Sequence, residues 1–297
     1  MRGKNRMSRT DLTNVWHFRT IGLGTINYRV ASNRLAKEVS RTGLFSTSIG
    51  YDERFLKKFS PDFWKAHRAF LKARNPGYGW WVWKAEFIRR CLQGIPEGHG
   101  LMYSDAGNYI SSAKNDLATL TSYLNLADVH NVVGSNSQGF LEKDWSSPEL
   151  MDLLNLNDSA RNSNQFLGGF LLVTNSLEGR NFISSWANLV CIKNHKFLMS
   201  GPESDHSSHI HGHDQSILSC LLKQASKPSV YVGDRLNLGS IRAVRHRYGF
   251  PFHNANKSSV IVFKTISLLS RTRLALERRL LPKINNRGSC FNDSNHD

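Results

Sequence analysis

The chain has 297 residues and 40% hydrophobic content, which is enough for a real core in one large domain or two modest ones and excludes a disordered polymer. Its formal net charge of +16 at pH 7 suits phosphate-rich partners, whether nucleic acid, an anionic membrane surface or a phosphorylated small molecule. That excess is concentrated at the ends: residues 1–41 hold nine Lys/Arg against two acids and residues 258–297 hold seven against three, so the middle is close to ordinary.

In chain order, residues 15–21 read as a first strand, interrupted by His17 and Arg19. Ala31, Leu35 and Val39 then recur at helical spacing, with Gly43 as a stop signal, and residues 44–51 alternate as a second strand. Residues 53–73 read as helix restarted at Pro61, and the turn NPGYG leads into WWVWKAEFIRRCLQGI. As a helix from Trp80, that segment puts Trp80, Trp83, Phe87 and Cys91 on one face and Trp81, Ile88 and Leu92 on another, so it is largely buried. A strand at 101–105, a helix at about 114–126 and a short strand near VHNVVG follow. Ser147-Pro148-Glu149 has the capped start of a helix running to Leu154. QFLGGFLLVTN is strand-like, 177–198 helical, HDQSILSCLLKQ an amphipathic helix and 230–234 a late strand. Such alternation predicts an α/β protein with a mostly parallel, mixed sheet covered by helices on both faces.

Asp105 stands at the carboxyl end of the strand in GLMYSDAG, where groups face the ligand crevice of a layered α/β protein; the turn chemistry of Asp-x-Gly is the plainer explanation. Lys84 lies inside an aromatic and apolar helix, where an ammonium needs a partner or a route to water. His213-Asp214-Gln215-Ser216 opens a helix, presenting Asp214 and Gln215 at a terminus with free N–H groups, or simply capping it. The histidine run 206–213 raises zinc, but no cysteine is near and a solvated loop is the better reading. Gly168-Gly169 permits a close approach or marks a bulge, and GLGTIN is only a weak nucleotide signal.

Taken in order, GYGWWVWK (77–84), LMYSDAG (101–107), residues 165–174 and HDQS (213–216) resemble a group of bacterial polysaccharide glycosyltransferases with G-Y-G-x-W-x-W-K-P, Y-x-D-A-G and H-x-D-Q-S segments. The resemblance covers roughly residues 20–250 and implies a Rossmann-like GT-A fold that binds a nucleoside-diphosphate sugar. It divides the chain into a basic segment, 1–14, a catalytic domain, 15–257, and a basic amphipathic tail, 258–297. By that likeness Asp105 holds Mn²⁺ or Mg²⁺, or the ribose, while Lys84, Trp83, Tyr78, Gly107 and Gly169 contribute to donor binding. His213, Asp214 and Gln215 are then the catalytic candidates, Asp214 binding a sugar or acting as base on the acceptor. Two departures stand out: Gly107 replaces the second carboxylate of the usual D-x-D, and Ala85 replaces the proline after Trp-Lys.

The implied activity is sugar transfer to a glycan or lipid-linked acceptor in cell-surface polysaccharide synthesis. Four scattered cysteines without a C-x-x-C pair fit a reducing cytoplasm, and Lys264 breaks the one apolar stretch of the tail, so no span crosses a membrane. The tail either docks peripherally on anionic lipid or packs on the body. The competing classes are a nucleic-acid-binding protein, for which no recognition motif is present, and a non-catalytic membrane-surface scaffold.

Overall fold

The computed structural model describes residues 12–73, 77–199, 213–233 and 240–242, with 268 and 272 besides. Residues 1–11, residues 258–297 apart from 268 and 272, and His206, His209 and His211 lie outside the described residues. The elements in chain order are β1 (Trp16–Gly22), α1 (Ile26–Ser40), β2 (Thr47–Asp52), α2 (Arg54–Phe59), α3 (Pro61–Ala73), a helical turn α4 (Gly77–Trp80) and α5 (Trp83–Gln93). Then come β3 (Gly100–Ser104), β4 (Tyr109–Ile110), α6 (Lys114–His130), β5 (Val132–Leu141), α7 (Glu142–Trp145), α8 (Pro148–Leu153), α9 (Asp158–Arg161) and β6 (Asn164–Thr174). The last are α10 (Leu177–Met199), α11 (Asp214–Gln224), β7 (Ser229–Tyr231) and β8 (Ile241–Arg242).

Six strands form one sheet in the order β2-β1-β3-β6-β5-β7. β1 pairs in parallel with β2 and β3, β5 pairs in parallel with β7, and β6 runs antiparallel to both β3 and β5. Because β6 is reversed, its opening residues meet the carboxyl end of β3: Ser104 lies opposite Phe170, and Gly168 and Gly169 come next along that edge.

Alternation along the strands sorts the core into two layers. Leu101 and Tyr103 of β3, with Leu171 and Val173 of β6, join the cluster that packs α5, α10 and α11. Met102, Phe170 and Leu172 point the other way, toward Leu35 and Val39 of α1 and Leu120 and Leu124 of α6. His17 and Arg19, which break the apolar run of β1, are nevertheless buried. Their polar atoms are satisfied locally: His17 contacts Thr47 and His99 at 2.8 and 3.0 Å, and Arg19 donates to the Thr47 hydroxyl at 2.8 Å.

Several boundaries differ from the sequence pattern. Leu44 and Phe45 do not open β2 but fill the second core layer, so the strand starts at Thr47. The helix expected from Trp80 begins only at Trp83, because residues 77–81 all take positive φ. β5 starts at Val132, after α6 has run on to His130, and β7 covers Ser229–Tyr231.

Candidate functional site

Asp105 leaves β3 two residues after Tyr103, hence on the same face, and Tyr103 donates its phenol hydrogen to Asp105 Oδ1 at 2.6 Å. Burial, followed by the Asp105 charge, pushes the Tyr103 hydroxyl well above its ordinary pKa, so it remains a donor. The Asp105 N–H donates to the Gly169 carbonyl at 2.9 Å, and a Cβ on Gly169 would stand 3.2 Å from Asp105 Oδ2. A glycine at 169 therefore leaves room for the carboxyl group. The turn beyond is closed by the Asn108 N–H on the Asp105 carbonyl at 2.9 Å, which is where Gly107 sits. Arg34, buried in α1, clamps this turn by donating to the Ala106 and Asn108 carbonyls at 2.9 and 2.8 Å while Glu38 holds its other nitrogen.

Lys84 enters from the first turn of α5, with its side chain 3% exposed. Its ammonium donates to the Gly168 carbonyl at 2.9 Å, and lies 2.9 Å from Asp214 Oδ2 and 3.4 Å from Asp105 Oδ1. The Asp214 oxygen makes this contact as an ion pair without hydrogen-bond alignment. One positive charge thus serves two carboxylates, and the cluster is net negative when both are ionised. Burial works against the Lys84 charge, but Asp105 and Asp214 together outweigh it and raise its pKa above the ordinary value. Burial pushes Asp214 up to about 7, Asp105 adding to the rise and Lys84 opposing it. The two directions agree physically: the shared ammonium is held, and the deeper acid is the one reluctant to ionise.

Asp214 is 2% exposed, whereas the Asp105 side chain is 35% exposed. The arrangement makes Asp214 the inner support of Lys84 and Asp105 the group open to solvent. Gln215, next on α11, accepts the Gly168 N–H at 3.1 Å and donates to Gln165 at 2.8 Å. Gln165 donates in turn to the fully buried Glu142 at 3.0 Å, which also holds Lys223 at 2.8 Å. Gly168, whose carbonyl faces Lys84, is therefore pinned from below by a continuous polar network.

His213 stacks on Trp80 with ring centroids 5.0 Å apart and bonds the Leu198 carbonyl through Nδ1 at 2.8 Å. Burial lowers its pKa against the pull of that carbonyl, which favours the neutral ring. Trp80 belongs to a run of left-handed residues, Gly77 to Trp81, in which Tyr78, Trp80 and Trp81 each cost about 1–2 kcal/mol. Gly77 and Gly79 take φ of 76° and 83° without that cost, and a Cβ on Gly79 would strike the Leu71 backbone at 2.8 Å. The turn is held by Tyr78, which donates to Glu53 at 3.0 Å, and by the Trp83 indole N–H on the Gly77 carbonyl at 3.1 Å. Tyr78 and Trp83 are buried in this support, so of the tryptophans it is Trp81, half-buried with the Lys84 ammonium 5.7 Å from its ring, that stands beside the charged cluster.

The same sheet edge carries a second feature that the sequence reading missed. At the exit of β2 a cleft of about 240 Å³ is lined by Arg29, Arg54 and Lys58 together with Tyr51, Phe55 and Phe59. Asp52 binds Arg29 at 3.3 Å and Arg54 at 2.8 Å, leaving the cleft net positive. Its residues come from α1, β2 and α2, and no local motif marks them. Arg34 and the Gln165–Glu142 pair were missed for the same reason, although an arginine within the apolar stripe of α1 and a glutamate among buried positions are the kind of residue that signals such a role.

A divalent ion at Asp105 would find one carboxylate, one of whose oxygens already accepts from Tyr103, no side chain at Gly107, and an Asp214 committed to Lys84. This donor set fits an ion of the Mg²⁺ or Mn²⁺ kind that takes most of its oxygens from phosphate and water. It does not build a two-carboxylate cage.

No family model matches the chain, and no curated protein matches it. Among solved structures it is similar to mouse xyloside xylosyltransferase 1 in its apo form, at 10% identity and TM-score 0.43, covering 80% of this chain and 99% of that one. It is also similar to the galactosyltransferase LgtC in complex with donor and acceptor sugar analogues, at 14% identity and TM-score 0.42, covering 90% and 98%. The chemistry rests on the residues above.

Proposed function

We propose that the protein is a glycosyltransferase that moves a sugar from a nucleoside-diphosphate sugar to a hydroxyl acceptor. The observation that supports this reading is the buried Lys84 ammonium held between Asp105 and Asp214 at the exit of β3. While Asp214 is neutral the ammonium offsets the Asp105 charge, so a diphosphate leaving group meets no net negative charge there, and the cation is already in position as charge develops. In this reading the nucleotide end of the donor takes the basic, aromatic cleft at β2, the diphosphate lies along the sheet edge, and the sugar reaches Asp105. A divalent ion held at Asp105 would supply further neutralisation of the leaving diphosphate. Asp214, Gln215 and His213 act by positioning Lys84, Gly168 and Trp80. The acceptor is a glycan or lipid-linked sugar in cell-surface polysaccharide synthesis, met on the cytoplasmic side, with the basic tail drawing the enzyme to anionic lipid. No helix among the described residues is long and apolar enough to cross a membrane.

Hydrolysis of UDP-, GDP- and ADP-sugars, with and without Mn²⁺, tests the central claim. One donor class should be cleaved by the wild type, and Asp105→Asn should lose at least tenfold of that rate while retaining its fold. Equal background rates in both proteins with every donor would overturn the reading.

A further inference from the structure

Away from the charged cluster, α3 and α10 bring together His67, Cys191 and His195. Cys191 and His195 lie four residues apart on α10, His195 with a φ of 68°, and His67 comes from α3. Each offers one ligand atom, and the three atoms lie within 4.8 Å of one another. His67 Nδ1 is 3.1 Å from His195 Nε2, and Cys191 Sγ is 3.8 Å from His67 Nε2. Both imidazoles are buried and the cysteine is half-buried.

We propose that His67, Cys191 and His195 form a site for a zinc ion, separate from any ion at Asp105. Two imidazoles and a thiolate are a borderline-soft set that suits Zn²⁺ and not the hard cations that accompany phosphates. Zn–N bonds of about 2.0–2.1 Å and a Zn–S bond of about 2.3 Å, in tetrahedral array, put two nitrogens roughly 3.3 Å apart and a nitrogen and the sulfur roughly 3.6 Å apart. Through Nδ1, His67 already stands near that separation from His195; the 3.8 Å sulfur contact is to its other nitrogen, so the cysteine side chain must turn toward Nδ1 to complete the set. Binding replaces the thiol hydrogen by the metal and releases that proton. The fourth position falls to water or to another ligand.

The site would act as a strut. His195 stacks on Phe70 at 4.2 Å, Phe70 meets Trp80 edge-on at 6.1 Å, and Trp80 stacks on His213 at 5.0 Å, one residue before Asp214. An ion that ties α3 to α10 therefore steadies a chain of rings ending at the charged cluster. Zinc loss would lower thermal stability and loosen the wall beside Asp214, so chelators would impair the protein even where no ion serves the diphosphate.

Cobalt titration of the full chain, stripped of metal under reducing conditions, tests this independently of any sugar-transfer assay. One equivalent of Co²⁺ should give a thiolate-to-cobalt charge-transfer band that Zn²⁺ abolishes by displacement. The band should vanish in Cys191→Ser, weaken in His67→Gln, and persist both in Asp105→Asn and in a variant with His206, His209 and His211 all changed to Asn. Should the cysteine variant not fold, alkylation mapped by mass spectrometry on the wild type gives the same answer, with Cys191 protected at least tenfold by one equivalent of Zn²⁺. Absence of the band and of protection, or a band that survives Cys191→Ser, would overturn the site and leave the 3.1 Å contact as a hydrogen bond between the two imidazoles.

Discussion

At the exit of β2 two guanidiniums, Arg29 and Arg54, face one carboxylate, Asp52; at the exit of β3 two carboxylates, Asp105 and Asp214, face one ammonium, Lys84. The two places lie on one edge of one sheet, with only β1 between them, or about 10 Å at ordinary strand spacing. Their burial differs as much as their charge. The Arg54 side chain is 73% exposed and so is screened by solvent, whereas that of Lys84 is 3% exposed. The first place can attract an anion and release it, while the second holds a charge in fixed position whether or not a ligand is there. In the proposed reading, this pairing of a loose basic cleft with a rigid cluster around a fixed ammonium suits the edge to a long donor anchored at one end and broken at the other.

The largest effect should come from the rigid side. Lys84→Met leaves Asp214 buried without its counter-ion, a loss of about 3–5 kcal/mol in urea unfolding. Lys84→Met combined with Asp214→Asn should recover most of that stability while donor hydrolysis stays abolished. A single variant as stable as the wild type would show that the pair is not what organises the edge. On the loose side, Arg29→Ala with Arg54→Ala should leave unfolding almost unchanged and weaken nucleoside-diphosphate binding about tenfold at low salt, with the difference shrinking as salt rises. Isothermal titration at two ionic strengths measures both, and unchanged affinity would remove the cleft from the binding surface.

The smallest effect is one of pH, and its sign follows from Asp214. Its folded pKa of about 7 lies above the ordinary 3.8, so the stability linked to its neutral form is fully present below about 4 and is lost as pH rises through about 7. Across the same window Asp214 gains a negative charge beside Lys84. Nucleoside diphosphate should therefore bind a few-fold more weakly at pH 8 than at pH 6. Asp214→Asn should flatten both trends, and Asp105→Asn should move the midpoint downward, because the Asp105 charge is one of the causes of the rise.

How much of this was legible in the sequence differs between the same two places. Asp105, Lys84 and Asp214 stood out singly, each because its residue type was at odds with its surroundings: an acid ending an apolar strand, an ammonium among tryptophans, an acid opening an apolar helix. The cleft gave no such contrast. Arg29, Arg54 and Lys58 sit in segments where exposed basic residues are unremarkable, and only the packing of α1, β2 and α2 makes them neighbours. The His67–Cys191–His195 group failed for a related reason, since its first member lies 124 residues from the second. The left-handed turn was misread as the start of α5 because apolar spacing at Trp80, Trp83 and Phe87 is blind to the sign of φ.

What the sequence determined by itself was the alternation of strands and helices, the split of each central strand into two apolar faces, and the presence of a few charges that could not be buried alone. These follow from local periodicity and from the cost of desolvating an ion, both of which can be read within a short window. Tertiary structure decided which charges meet. The reversal of β6 is what sets Gly168 and Gly169 against Asp105, and the seating of α11 on that strand is what carries Asp214 to Lys84. Pairings of this kind depend on strand order and helix placement across tens of residues to more than a hundred, for which sequence neighbours carry no energetic record.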